Sequence, residues 1–177
     1  MVVHESLAYP VALVMGLFMV SYLPWAPECD PVETVCVSAA DWSGLLRFVG
    51  AWEPGTIVAG LQATGLEAAP HPSGGVVAHD GETRVHLYTY DGEPGQQTVI
   101  FLSYHRAVPF AAPIPEERAE LVLEATLREA EMELGRIQDA LLSATDWKLP
   151  EDEAPTWSIV SDRKGGTGGL LRVEASH

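Results

Sequence analysis

The chain has 177 residues, of which 47% are hydrophobic and 20% charged, and its 25 Asp and Glu against 10 Lys and Arg give a formal net charge of −15. This composition excludes a chain that is disordered throughout and predicts a single domain over residues 1–177. The negative field repels phosphates and so argues against a nucleic-acid partner, whereas it favours a protein or peptide partner, a basic one above all. Solubility alone would also account for the acidity.

An uncharged stretch of 21 residues, Leu7 to Pro27, is long enough to span a membrane. It lacks the basic flank that signal peptides and membrane anchors usually carry, and two prolines and a glycine interrupt it. We therefore expect this stretch to be a buried strand or helix of the core. Membrane association is the alternative.

The two cysteines, Cys29 and Cys36, are separated by six residues in a loop rich in proline and acidic side chains. Structural zinc sites need four ligands, usually in pairs two to four residues apart, so this spacing does not predict one. A disulfide could close the loop. We expect a cytoplasmic protein, in which both thiols would be reduced.

A short helix is predicted after this loop. Ser38 is a suitable N-cap for a helix that extends through Val49, and the breaker sequence at 52–55 ends it. We accordingly divide the domain into an apolar N-terminal extension, residues 1–53, and an α+β core, residues 54–177. The core begins with a second helix, Thr56 to Thr64, and a strand-like stretch, Leu66 to Ala69.

A three-stranded meander gives the clearest structural signal. Asp80-Gly81 suits a two-residue type I′ turn and separates two alternating runs, residues 75–79 and 82–90. Alternation places Val76, Ala78, Val85 and Leu87 on one face, and Val77, His79, Arg84, His86, Tyr88 and Tyr90 on the other. The third strand, Thr98 to Val108, contains four consecutive apolar residues, which predicts that it is covered on both sides.

A long amphipathic helix is predicted at about 115–145, because two prolines and two glutamates precede a regular hydrophobic stripe. The stripe consists of Leu123, Leu127, Ala130, Leu134, Ile137 and Leu141, which follow one another at steps of four and three. We expect it to pack on the sheet of the same chain. A homodimer formed through this helix is the alternative, because the same steps form a coiled-coil seam.

A C-terminal hairpin, Thr156 to Ser161 with Leu170 to Glu174, is predicted to complete the sheet. Its connection, Lys164 to Leu170, is similar to a phosphate-binding loop but has glycine and leucine where that loop needs lysine and a hydroxyl. No cofactor is therefore expected. The predicted fold class is α+β: an antiparallel sheet, made of the meander and this hairpin, packed with helices.

The histidines of the meander do not predict a metal site. With a two-residue turn, Glu82 lies opposite His79, and His86 lies about 13 Å further along the strand, too far to share an ion. His105 could join one of them only in a register that the sequence does not fix. Hydrolase and dinucleotide motifs are absent from the sequence. We predict no catalytic, cofactor or metal residue, and we assign partner binding to Arg84, His86, Tyr88 and Tyr90.

Five segments follow one another along the second part of the chain: TIVAGLQATGLE (Thr56 to Glu67), GGVVAHDGETRVHLYTYDG, TVIFLSYHRAV, PEERAELVLEATLREAE and GGLLRVE. In order and spacing they resemble the YbjN and type III secretion chaperone-like superfamily. That resemblance implies an α+β fold that is often dimeric and acidic and that holds a polypeptide segment rather than performing catalysis. The first 53 residues and the length of the helix after Pro115 depart from the pattern.

Three classes of function are compatible with these features. The first is a non-catalytic, chaperone-like protein that holds a polypeptide partner, which we favour. The second is an immunity-type inhibitor, whose carboxylates would cover the basic active site of a toxin. The third is a small enzyme that uses His86, Tyr88, Tyr90 or His105 in a pocket on the sheet.

Overall fold

The computed structural model describes residues 29–31, 34–165 and 172–176. The stretch Leu7 to Pro27, expected to belong to the core, and most of the glycine-rich loop therefore lie outside the described residues. The described chain forms an antiparallel sheet of seven strands with two helices packed on one of its faces. This architecture confirms the predicted α+β class.

The strands are β1 (Cys36–Ala51), β2 (Glu67–Pro70), β3 (Val76–His79), β4 (Thr83–Tyr88), β5 (Gln97–Pro115), β6 (Thr156–Lys164) and β7 (Arg172–Ser176), and the helices are α1 (Pro54–Gln62) and α2 (Glu116–Ala144). The strand order across the sheet is β2-β3-β4-β5-β1-β6-β7. The predicted meander, long helix and C-terminal hairpin are thereby confirmed. The longest strands, β1 and β5, pair along nearly their whole length and form the centre of the sheet.

The helix predicted from Ser38 to Val49 is wrong, because these residues belong to β1. Alternate residues of β1 are buried from position 40 to position 50, which is the period of a strand. Gly44 and Gly50 lie on the buried face, where a Cβ atom would collide with Trp157 and Trp147. Residues 36–51 are therefore the middle of the sheet and not part of an extension to it.

Both helices cover the same face of the sheet, and the core lies between these layers. Leu134, Ile137 and Leu141 of α2 are almost completely buried, together with Leu46, Phe48, Ile100 and Leu102 of the sheet. The indole Nε1 of Trp42 donates to Thr126 Oγ1 at 3.0 Å and so ties α2 to β1. The prediction that the hydrophobic stripe packs within its own chain is confirmed.

The turn between β3 and β4 differs from the predicted register. His79 pairs with Arg84 and not with Glu82. The Asp80 carboxylate accepts hydrogen bonds from the backbone amides of Glu82 and Thr83, and the Asp80 amide donates to the Thr83 carbonyl. Because the shift amounts to two residues, the predicted assignment of side chains to the two faces is preserved.

The described residues cover the third strand of the meander on one side only, contrary to the prediction. Ile100 and Leu102 are fully buried beneath the helices, whereas Val99 is 44% exposed and Phe101 is half-buried on the other face. The strand also continues beyond Val108, through Pro109 and Pro113 to Pro115. Since β4 begins opposite Arg106, the outer edge of β5 beyond that point has no neighbour among the described strands, and proline is tolerated there.

Cys29 and Cys36 form a disulfide, which corrects the expectation of two reduced thiols. The bridge lies at the beginning of β1, and the backbone amide of Thr34 in the same loop donates to the Asp30 carbonyl. Among the residues that the structure describes, no helix combines the length and apolar character needed to span a bilayer.

Candidate functional site

The face of the sheet opposite the helices, here called the open face, carries the candidate site. Its central residues are Val77 and His79 of β3, Arg84, His86 and Tyr88 of β4, Val99, Phe101, Ser103 and His105 of β5, and Asp41, Ser43 and Leu45 of β1. These side chains are half-buried or exposed, because both described helices pack on the other face. The open face therefore presents aromatic and polar groups side by side.

Five rings form a continuous row across this face, here called the aromatic row. The ring centroids are 5.9 Å apart for His71 and His86, 5.2 Å for His86 and Tyr88, and 5.4 Å for Tyr88 and Phe101. Tyr88 stacks on Phe101 with an interplanar angle of 16°, and Tyr90 meets both of these rings edge-on. Such a surface suits the recognition of apolar and aromatic side chains.

His86 is the most constrained member of the aromatic row. Its Nε2 atom is buried and has no hydrogen-bond partner among the described residues, and it lies against Gly75, where a Cβ atom would come within 2.6 Å of it. Burial lowers the pKa of His86, and the neighbouring His71 lowers it further. His86 is therefore held in the neutral form that packs against Tyr88.

A cluster of polar side chains lies beside the aromatic row. The imidazole of His105 stands between two serines, with Nδ1 2.9 Å from Ser43 Oγ and Nε2 3.0 Å from Ser103 Oγ. Arg84 pairs with His105 across the strands and takes part in no ion pair with another described residue. Arg84, Ser103, His105 and Asp41 are among the residues that line a cavity of about 550 Å³.

A second cavity, of about 610 Å³, lies at the other end of the aromatic row, at the loop that joins β4 to β5. Tyr88, Tyr90, Asp91 and Glu93 are among its lining residues. The loop is hydrogen-bonded to Trp52, the residue that follows β1. The Gly95 amide donates to the Trp52 carbonyl, and the Trp52 amide donates to the Gln96 carbonyl. Two carboxylates thus stand beside two tyrosine rings.

Neither cavity has the arrangement of a metal centre. No group of three or more His, Cys, Asp or Glu side chains could hold a metal ion within residues 29–31, 34–165 and 172–176. The observed register corrects the predicted separation between His79 and His86. His86 lies opposite Val77 and is therefore diagonal to His79, at a separation of about 7 to 8 Å between backbones, and not about 13 Å along the strand.

The serines beside His105 do not form the usual arrangement for nucleophilic catalysis. Such a site needs a base that is oriented by a third group, and hydrogen-bond donors for the developing oxyanion. Serine hydroxyls contact both nitrogens of His105. The strand is also paired on both sides at this point, so its backbone groups belong to the ladder. The geometry favours binding through hydrogen bonds.

A buried polar network on the helix side contrasts with the open face. Glu133 Oε2 accepts hydrogen bonds from Tyr104 Oη at 2.5 Å, Thr83 Oγ1 at 2.9 Å and Arg106 NH1 at 3.0 Å. Burial raises the pKa of Tyr104 well above its usual range, and the hydrogen bond to Glu133 raises it further. With each polar group paired, the network fastens α2 to β4 and β5.

The structure brings the four predicted partner-binding residues to one side of the sheet. Arg84, His86 and Tyr88 lie on the open face, and Tyr90, just after β4, joins them through its ring contacts with Tyr88 and Phe101. Phe101, His71, Ser43 and Ser103 were missed as members of this site. Strict alternation along β5 would have identified Phe101, since it pairs with Tyr88.

No protein-family model, no curated protein and no solved structure matches the chain.

Proposed function

We propose that this protein is a non-catalytic, chaperone-like binding protein that holds a polypeptide segment on the open face. The observation that carries the proposal is the aromatic row, a line of contacting rings that remains accessible and ends in the 77% exposed Tyr90. Exposed aromatic residues beside hydrogen-bonding groups are typical of protein recognition surfaces. The resemblance to the YbjN and type III secretion chaperone-like superfamily supports the same function.

The chemistry of the surface favours a polypeptide over a small substrate. Both cavities are open to solvent on a broad sheet, and His105, Ser43 and Ser103 offer hydrogen bonds at one end while rings offer apolar contacts at the other. An extended segment can use both kinds of contact at once. The formal charge of −15 favours a segment with basic residues.

An immunity-type inhibitor is the second candidate, because the same net charge would complement a basic toxin active site. It predicts a tight one-to-one complex with one folded protein, whereas a chaperone-like protein binds short segments. A homodimer, for which the superfamily resemblance is the support, is also a proposal. A cytoplasmic location stays a prediction, and the Cys29–Cys36 disulfide counts against it, because disulfides are typical of oxidising compartments.

The proposal can be tested by selecting short peptides from a random display library against the full chain and then measuring the dissociation constants of the synthetic peptides. We expect binders rich in aromatic and basic residues, and we expect Tyr88→Glu to weaken them strongly. Met132→Glu is the control, since Met132 is 66% exposed and lies on α2, away from the open face. Failure to select any binder, or equal affinities for the two variants, would contradict the proposal.

A further inference from the structure

We propose that the cavity between Tyr88, Tyr90, Asp91 and Glu93 binds the side chain of an arginine or lysine in the partner segment, by cation–π contact and charge pairing. The inference builds on the proposed function and adds the chemical identity of an anchor residue. We call this cavity the cation pocket.

The ring geometry at the cation pocket leaves aromatic surface available. Phe101 stacks against Tyr88 at 5.4 Å, and Tyr90 stands edge-on to both rings at centroid distances of 5.7 and 5.4 Å. Tyr90 is 77% exposed, so its ring faces are accessible from solvent. A cation within about 6 Å of a tyrosine centroid is attracted by the negative face of the ring.

The charge of the lining has a single sign. Asp91 and Glu93 are both exposed, and the residues that line the cavity include no lysine or arginine. Asp91 has neither an ion pair nor a side-chain hydrogen bond with another described residue. Glu93 accepts one hydrogen bond, from Gln96 Nε2 at 3.0 Å. Two carboxylates beside two tyrosines resemble the aromatic cages that bind ammonium and guanidinium groups.

Hydrogen bonds hold the loop that forms the cation pocket. The backbone of the β4–β5 loop is hydrogen-bonded to Trp52 at two places, and the hydroxyls of Thr89 and Thr98 are 2.8 Å apart across the base of the loop. Burial keeps the pKa of His86 low, so the ring that connects the pocket to the rest of the aromatic row adds no competing positive charge near neutral pH. A basic side chain can therefore enter the pocket while its neighbours contact the row.

The test uses the full chain and two synthetic peptides, acetyl-Gly-Phe-Arg-Phe-Gly-amide and the same peptide with glutamine in place of arginine. Dissociation constants are measured by titration at low and high salt. We expect the arginine peptide to bind roughly fivefold more tightly at low salt, a preference that matches the usual strength of exposed cation–π contacts. Salt should reduce this preference, because it screens the two carboxylates.

Variants of the cation pocket show whether the preference for the arginine peptide arises there. The double change Asp91→Asn with Glu93→Gln should reduce the arginine preference while leaving the glutamine peptide's affinity nearly unchanged. Tyr90→Ala also removes a ring of the aromatic row, so it should weaken both peptides and weaken the arginine peptide more. The matched control is Glu151→Gln with Asp152→Asn, which removes the same charge from an exposed turn elsewhere. Circular dichroism verifies that each variant is folded.

The outcomes separate the two proposals. If both peptides bind equally and Tyr88→Glu abolishes both, the open face holds polypeptides but the cation pocket is refuted. If the control pair removes the preference as effectively as the pocket variants, the effect is due to net charge and the pocket is again refuted. If neither peptide binds, the cation pocket and the proposed function are both contradicted.

Discussion

The two faces of the sheet come from the same strands, yet they differ in how completely their polar groups are paired. On the helix side, Glu133 Oε2 accepts three hydrogen bonds, and the large side chains around it are buried. On the open face, His86 leaves a buried nitrogen without a partner among the described residues, and Tyr90 extends into solvent. The difference separates the residues that maintain the fold from those available for binding.

A single strand, β4, contributes side chains to both faces. In β4, Val85 and Leu87 are fully buried, whereas Arg84, His86 and Tyr88 between and beside them point to the open face. Because alternate side chains lie on opposite faces, the residues of the open face can change without altering the core. Substitutions on each of the two faces can test that separation.

Truncation of the helix stripe should damage the fold severely. Leu134 is 1% exposed, and Leu134→Ala should lower the free energy of unfolding by about 2 to 5 kcal/mol, because it leaves a cavity between α2 and the sheet. The measurement is chemical denaturation, with Met132→Ala as the control on the exposed side of the same helix. Unchanged unfolding combined with weaker self-association would show that the stripe is a subunit contact.

Removal of the partly buried Glu133 carboxylate should have the next largest effect. Glu133→Ala leaves the hydroxyl of the fully buried Tyr104 without its acceptor, which should cost about 1 to 3 kcal/mol of stability. Glu129 is the matched control, because it pairs with the same Arg106 but is 55% exposed, and Glu129→Ala should cost less than about 1 kcal/mol. Equal losses in thermal or chemical melts would contradict the network's role in fastening α2.

A charge on the open face should affect binding more than folding. Tyr88 is half-buried and stacks on Phe101, so Tyr88→Glu should leave the melting temperature within a few degrees but abolish peptide binding. The measurement pairs a melting curve with a binding titration of a selected peptide. Loss of folding by Tyr88→Glu, with Leu134→Ala tolerated, would reverse the assignment of the two faces.

The meander and the long helix could be predicted because their patterns are unambiguous. An Asp-Gly turn between alternating runs indicates a hairpin, and six apolar residues at steps of four and three indicate one side of a helix. Alternation along β4 then assigned its side chains to the two faces. This assignment identified the candidate site residues Arg84, His86 and Tyr88. A register shift of two residues did not disturb the faces, since the period of a strand is two.

The central strand could not be predicted because its pattern fits two structures. Trp42, Leu46 and Val49 have helical spacing, but Trp42 and Leu46 also have the even spacing of a strand, and Val49 turns out to be 38% exposed. Only the pairing with β5 and β6 decides between the two, and this pairing joins residues far apart in sequence. Ser43, which contacts His105, was therefore missed with its strand.

The disulfide could not be predicted, because its formation depends on the redox state of the compartment, which the sequence does not contain. A separation of seven residues permits a bridge between Cys29 and Cys36, but the redox state follows from the compartment, which was itself a prediction. The aromatic row could likewise be predicted only in part from the sequence. Its members come from β4, β5 and two loops, so that their contacts depend on the assembled sheet.

The smallest expected effect concerns pH and the Nε2 atom of His86, which is buried without a hydrogen-bond partner in the described part of the chain. Burial, and then the proximity of His71, lowers the pKa of His86 below the value of about 6.5 that the unfolded chain would have. In mildly acidic solution the unfolded chain therefore binds this proton more readily than the folded chain does. The contribution of His86 to stability is complete above about pH 6.5 and is lost as the pH falls through the folded pKa.

Melting curves between pH 7.5 and pH 5 provide the measurement, and we expect the wild type to lose more stability over this range than His86→Gln does. His79→Gln is the control, because His79 is an exposed histidine on the same face. Titration of the His86 imidazole by NMR measures its pKa in the folded chain directly. His71→Gln should raise this pKa only part of the way to its usual value, since burial is the larger cause of the shift. A His86 pKa at or above about 6.5 in the wild type would show that the ring is not held neutral, and the contrast between the two faces would lose this support.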